Sequence, residues 1–259
     1  MTTKQELVKI YQDTLRKSRQ FGGRFDQSTK YTPDELPDWE DVMREPTEDD
    51  DVARGPPSDT VHVEVHDLDT LTCAREQLEA DPDADILVLN MAYPFCPGGG
   101  VKRGSRAQEE CLFRCSNYHD CVNGKHYPLK DNSFIVTECV TVFKDEDYNV
   151  LRDPVEMDFI AMPAVCRPAL YGGVDYLDEK DREDMKLRID LIFRYAVLEQ
   201  KDILVLGALG CGAFRNPPEV VREMFREAIS KYGGYFKKIV FAVLSGTKNS
   251  NYEVFKTLE

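Results

Sequence analysis

Two stretches of the chain carry residue types at spacings that chemistry uses. The first runs Asn90-Met-Ala-Tyr-Pro-Phe-Cys-Pro-Gly-Gly-Gly-Val-Lys-Arg-Gly-Ser-Arg-Ala-Gln-Glu-Glu. Gly98, Gly99 and Gly100 strip side chains from about 10 Å of backbone. That frees the dihedrals and lets main-chain groups come close to a ligand. Ser105 stands three residues before Gln108, a spacing that predicts a capping box and a helix starting at Ser105. Glu109 and Glu110 then fall in the first helical turn, pointing about 100° apart, so they need not share one job. A carboxyl held there can give a proton to a leaving oxygen and take one from water. Each part alone has a plain reading: glycines occur in ordinary loops, and acids in a first turn complement the helix dipole. The combination, directly after a buried strand, is much less common.

The second stretch is Gly207-Ala-Leu-Gly-Cys-Gly-Ala-Phe-Arg-Asn. Glycine-spaced backbone between a strand and a helix can converge its N–H groups on a diphosphate without a lysine. No Gly-Lys-Ser/Thr follows, so it is not a P-loop. Both stretches follow apolar strands, and open α/β sheets bind ligands beyond the carboxyl ends of their strands.

The elements that must hold these stretches can be read from periodicity. Leu7, Ile10, Tyr11 and Leu15 predict an amphipathic helix over 4–21, ended by Gly22-Gly23. Val61, Val63 and Val65 alternate as in a strand. Asp69 or Thr70 caps a helix running to about Leu78. Ile86–Met91 is a continuous apolar run, as in a buried parallel strand. Strands are also predicted at Phe134–Val142, Asp158–Ala164, Ile203–Leu209 and Lys238–Ser245. Further helices are predicted at Asp181–Gln200 and from Pro217-Pro218 to Gly233-Gly234. Strands alternating with helices predict a three-layer α/β domain with a mixed sheet.

Composition bounds the rest. The chain has 259 residues and a formal net charge of −14. Thr32–Asp59 alone holds 11 Asp/Glu, 2 Lys/Arg and 5 of the 14 prolines, and so carries −9 of that charge. A broad basic face for duplex DNA is therefore not expected. No apolar run is long enough to span a bilayer. Met1-Thr-Thr-Lys-Gln-Glu-Leu has no apolar core of a secretory signal. An intracellular protein, cytoplasmic or nuclear, with reduced thiols is expected, its eight cysteines acting mainly as small apolar groups. Cys111, Cys115 and Cys121, with His119 and His126, lack the paired hooks of a zinc site. No metal and no cofactor are expected.

Gly98-Gly99-Gly100, seven residues, then Gln108-Glu109-Glu110 resembles the signature of the bacterial-type poly(ADP-ribose) glycohydrolases. Leu89-Asn90, Pro97-Gly-Gly-Gly-Val and Ala107-Gln-Glu-Glu resemble that family's catalytic loop. Gly207–Asn216 resembles its diphosphate loop. The likeness covers most of the chain except about residues 24–60. It departs at Tyr93–Cys96, where the family usually has small or polar residues, and at Cys166-Arg-Pro; both could reshape the pocket wall.

The resemblance implies a macrodomain-like fold, with residues 1–60 as an N-terminal helix and acidic loop and 61–259 as the catalytic domain. It implies hydrolysis of ribose–ribose bonds in ADP-ribose polymers. Carried over by motif, Glu110 is the catalytic acid and base, and Glu109 holds distal ribose hydroxyls. Asn90 binds ribose or braces the loop, Gln108 completes the motif, and Gly98–Gly100 pass close to the ligand. Gly210, Cys211, Gly212 and Ala213 form the diphosphate loop, and Phe214 orients the terminal ribose. The helix N-terminus favours ionised Glu110, whereas proton donation needs the acid; burial and the Glu109 charge must oppose the dipole. A mono(ADP-ribosyl) hydrolase and a non-catalytic ADP-ribose-binding module are the competing readings. The partners implied are ADP-ribose and its polymer, with no membrane, and the expected state is a monomer. The acidic loop is expected to lie away from the Gly98–Glu110 cleft or to gate it.

Overall fold

In the computed structural model, described for residues 2–39, 61–246 and 251–259, nine strands are assigned. Seven form one mixed sheet, in the order β1 (Ser28–Tyr31), β4 (Phe134–Lys144), β5 (Val150–Met162), β3 (Ile86–Met91), β8 (Ile203–Leu206), β9 (Lys238–Ala242) and β2 (His62–His66). β3 is central because it is apolar on both faces. Leu87 and Leu89 enter one core, Ile86 and Val88 the other. It runs parallel to both β5 and β8. β1 and β4 complete the antiparallel end of the sheet. β6 (Leu170–Tyr171) and β7 (Asp175–Tyr176) form a separate hairpin.

Helices cover both faces, as the sequence predicts. α5 (Glu179–Leu198), α6 (Pro218–Tyr232) and α7 (Asn251–Phe255) contribute to one core. α1 (Lys4–Lys17), α2 (Thr70–Ala80), α3 (Gln108–Cys115) and α4 (Tyr118–Cys121) contribute to the other. The Asp69 and Asp178 side chains cap α2 and α5, each accepting a backbone N–H of the first turn.

Several boundaries differ from the sequence reading. α1 stops at Lys17 and tightens into a 3-10 turn to Phe21, closed by Gly22 at φ 66°. β8 ends at Leu206, because Gly207 already begins the loop. β9 likewise ends at Ala242. β5 starts at Val150, well before Asp158, because its first half pairs with β4 across register shifts. The sequence reading assigned no strand to Ser28–Tyr31 or to the 170–176 hairpin. The first of these places part of the 1–60 segment inside the sheet. α1 also packs against α3 and the glycine loop: Thr14 donates to the Arg114 carbonyl at 2.5 Å, and Lys4 O lies 2.4 Å from where a Gly104 Cβ would stand.

Of the acidic stretch, residues 40–59 lie outside the described residues. Its start does not hang free. Leu36 is buried in the α5–α6 core, and Trp39 packs its ring against Tyr232 and Tyr235 at 4.6 and 5.6 Å. That core is on the opposite face of the sheet from α3.

Candidate active site

The site begins where the sheet parts. β8 leaves β3 after the pair Val88–Val205, while β5 stays paired to Met91. Beyond that point one edge of β3 has lost its strand neighbour. Gln108 replaces it: its Oε1 accepts from Met91 N at 2.9 Å, and its Nε2 donates to Leu89 O at 2.6 Å. A carboxamide has the donor and acceptor of a peptide, so it can end a ladder as a strand would. This corrects the expected capping box. α3 starts at Gln108 with Ala107 as N-cap and no side-chain cap, because the Gln108 amide is committed to the strand. Ser105 packs on Gly100 instead, its Oγ 2.1 Å from a Gly100 Cβ position.

The glycine loop then wraps the two carboxyls. Glu109 accepts from Tyr93 N at 2.8 Å and from Gly98 N at 3.1 Å, one amide on each oxygen. Glu110 Oε1 accepts from Gly100 N at 2.8 Å. These closures need bare backbone. Gly98 (φ 71°) lies on the Phe113 ring, which a Cβ would meet at 2.7 Å. Gly99 (φ 49°) lies over both carboxyls. The far end of the loop is fixed by Arg114, fully buried, whose Nη1 donates to Ser105 O at 2.7 Å and whose Nε donates to Tyr148 Oη at 3.2 Å. The sequence reading passed over Arg114; its one signal was a charge on an otherwise apolar helix face.

Glu109 and Glu110 are 2% and 6% exposed. The second oxygen of Glu110 is buried and has no hydrogen-bond partner among the described residues. An unmet buried acceptor costs about 1–3 kcal/mol, so its presence asks for a reason. Asn90 lies fully buried under the pair, donating to Tyr118 Oη at 3.4 Å and bonded to Glu109. In this position it braces the loop from behind.

Burial pushes the Glu109 carboxyl from the ordinary 4.5 up to about 8, with the Glu110 charge adding to it. The Tyr93 and Gly98 amides and the Asn90 side chain pull the other way. Between those two values the folded chain keeps a proton that the unfolded chain has released. This group therefore lowers stability as pH rises from about 4.5 to about 8. Denaturant unfolding is expected to show wild type losing stability from pH 5 to pH 8, by an amount on the order of a few kcal/mol. The Glu109→Gln variant should lose clearly less. Parallel pH profiles for the two proteins would refute the assignment.

The diphosphate-type loop lies across the parting. Gly210 (φ 74°) packs so closely that a Cβ would come within 2.4 Å of the Ala164 Cβ and 2.5 Å of the Asn216 Nδ2. Asn216 pins the loop, donating to Val165 O at 2.8 Å and Gly210 O at 3.1 Å while accepting from Tyr176 Oη at 2.8 Å. The amides of Gly210, Gly212, Ala213 and Phe214 donate to no other described residue. They form a set of unspent donors, as an anion requires. The Cys211 amide is spent on Ala208 O at 3.1 Å, and its thiol is pushed up by burial. Phe214 packs half-buried beside them.

Between the two loops is a cavity of about 470 Å³. Gln108, Ala208–Gly210 and Gly212–Phe214 are on its wall, whereas Glu109, Glu110 and Gly98–Gly100 are not. The carboxyls stand behind the wall that Gln108 presents. Among the described residues, Asp69 is the one carboxylate on the lining and Arg106 the one cation. Burial pushes the Asp69 carboxyl up. The sequence marks Asp69 as a helix cap and not as a wall of the site, because nothing in it places α2 against β3 and β8. Among the described residues no three His, Cys, Asp or Glu come together as a metal would need. Nor is any helix long and apolar enough to cross a membrane.

A family model described as the catalytic domain of microbial-type PARG matches residues 8–145. The chain is also similar to solved structures. Poly(ADP-ribose) glycohydrolase from Thermomonospora curvata is 24% identical, with 98% of this chain and all of that one covered at a TM-score of 0.79. The same enzyme bound to the inhibitor ADP-HPD is 25% identical, with 97% and 98% covered at 0.78. Poly(ADP-ribose) glycohydrolase from Deinococcus radiodurans in complex with ADP-ribose is 26% identical, with 90% and 94% covered at 0.73. No curated protein matches the sequence.

Proposed function

The chain belongs to the microbial-type poly(ADP-ribose) glycohydrolase family, and on that premise we propose how its own residues cleave the polymer. The enzyme is a glycosidase that hydrolyses poly(ADP-ribose). We assign catalysis to residues 61–259. Residues 1–60 contribute the helix that braces the catalytic loop and the β1 edge.

The observation that carries the mechanism is the unpartnered, buried Oε2 of Glu110. With Oε1 tethered to Gly100 N, the carboxyl has one defined free atom for proton transfer. As the bond from the ribose anomeric carbon to its leaving oxygen breaks, Glu110 gives that oxygen its proton. The anomeric carbon then carries oxocarbenium character. Water attacks this carbon and returns a proton to Glu110, which restores the acid. Glu109 has one amide on each oxygen and, as a carboxyl group, lone-pair capacity to spare for ribose hydroxyls. The unspent amides of Gly210, Gly212, Ala213 and Phe214 suit the diphosphate, whose charge then lies on the cavity side of the cationic carbon. Asp69, the one carboxylate on the lining among the described residues, suits an exocyclic base amine. The usual pair of catalytic carboxylates is then reduced to one acid helped by the substrate's own phosphates.

Timed release of ADP-ribose from purified polymer tests this, with mono-ADP-ribosylated protein as a second substrate. Release from polymer is expected. Release from the mono-modified protein alone would reassign the activity, and binding of ADP-ribose without release from either would make the site a binding module.

A further inference from the structure

The mechanism above leaves one conspicuous feature of the catalytic loop unused. Tyr93, whose backbone holds Glu109, pairs its ring with that of Phe95 at 5.4 Å in an edge-on contact. Phe95 is 63% exposed. The segment between the carboxyls and this ring is held from both sides: Pro94 O accepts from Leu129 N at 2.8 Å, and Cys96 O from Gly99 N at 3.4 Å. An exposed aromatic on a pinned backbone, two residues from the amide that holds Glu109, is a platform held in place.

The stretch of chain that carries it is opposite in charge to the protein. Residues 93–130 hold six Lys/Arg and three Asp/Glu, and two of those three acids are the buried Glu109 and Glu110. Lys102, Arg103, Arg106, Lys125 and Lys130 are exposed. A chain of net charge −14 thus carries a local excess of exposed cations on the glycine loop and the segment that follows it. Aromatic faces interleaved with cations are what a nucleic-acid-like strand recognises.

The leaving oxygen of a ribose–ribose bond in this polymer is an adenosine 2′-hydroxyl, so an adenine lies one sugar from the bond that breaks. Its diphosphate follows. We propose that Phe95, backed by Tyr93, stacks the adenine of the leaving unit and that the adjoining Lys and Arg side chains neutralise its phosphates. Phe95 then selects polymer over shorter ADP-ribose ligands, whose only unit sits in the cavity. This rests on the polymer-hydrolase reading above.

Steady-state kinetics on polymer and calorimetry with free ADP-ribose test it together. Phe95→Ala is expected to raise KM for polymer on the order of tenfold, the loss of one base–aromatic stack. Its kcat should change much less, and ADP-ribose affinity should stay at wild type. Phe95→Trp should restore KM; Phe95→Leu, which keeps apolar bulk without an aromatic face, should not. An unchanged polymer KM in both Phe95→Ala and Phe95→Leu would overturn the subsite, and so would equal weakening of free ADP-ribose. Wild-type protein that releases nothing from polymer would instead overturn the reading beneath it, and the subsite with it.

Discussion

Glu110→Gln is expected to lower polymer turnover by about 10²–10⁴-fold, the range of a general acid–base contribution. Binding of ADP-ribose should stay within about twofold, since the amide adds and removes little contact in the cavity. The variant is close to isosteric. Its carboxamide oxygen can keep the Gly100 N–H, which places an NH₂ where Oε2 stood. Folding should change little, because that position has no hydrogen-bond partner among the described residues in either form. The substitution removes one thing, a proton that can leave and return. Stopped assays for released ADP-ribose, with calorimetry on the same preparation, separate the two effects. Turnover near the wild-type rate would remove Glu110 from the reaction and with it the proposed mechanism.

Gly99→Ala should be nearly as damaging for a different reason. Its Cβ would stand 2.8 Å from Glu110 Oε1 and 2.9 Å from Glu109 Oε2, closer than carbon and oxygen tolerate. The backbone there is left-handed, which costs a residue with a side chain about 1–2 kcal/mol. Either the loop lifts or both carboxyls turn aside. A displacement near 1 Å in such a site costs on the order of a hundredfold in rate. We therefore expect kcat/KM for polymer to fall at least about that much, with a melting temperature only a few degrees lower. Gly124→Ala is the matched control, since its Cβ meets nothing within 4 Å. It should retain wild-type kinetics, and a Gly99→Ala enzyme that does the same would show the loop is slacker than its contacts imply.

The sequence made part of this site legible because the signals are local. Ile86–Met91, the three glycines and the Gln108-Glu109-Glu110 turn are contiguous, so strand, loop and helix can be read as one unit. The role of Gln108 could not be read that way. Its partner is a strand edge exposed only because β8 turns away, and that divergence is a fact of the sheet. The capping-box reading of Ser105 therefore followed a correct spacing to the wrong bond. β1 was missed because four residues give too short an alternation, and its pairing with β4 spans about a hundred residues. Arg114 and Asn216 read as ordinary helix and loop residues. Their work is to pin carbonyls of neighbouring segments, Ser105 O and Val165 O, which no periodicity reports. The two glutamates assigned to the site stand out by type and spacing, whereas their burial and the orphaned oxygen depend on how α3 and the glycine loop pack.

The anchoring of Trp39 has a spectroscopic consequence. It is the only tryptophan in the chain, held edge-on between Tyr232 and Tyr235 with the Lys231 ammonium 5.9 Å from its ring. Its emission therefore reports one place, the seam where the start of the acidic stretch meets α6, and reports it against a single background. That seam lies on the far face of the sheet from the carboxyls. Intrinsic fluorescence will follow unfolding of the domain and release of this strap as a shift in wavelength, while ligand entering the cleft leaves it unchanged. The protein carries a label for its scaffold that is silent toward its chemistry, so stability can be followed with ligand present without occupancy contaminating the signal.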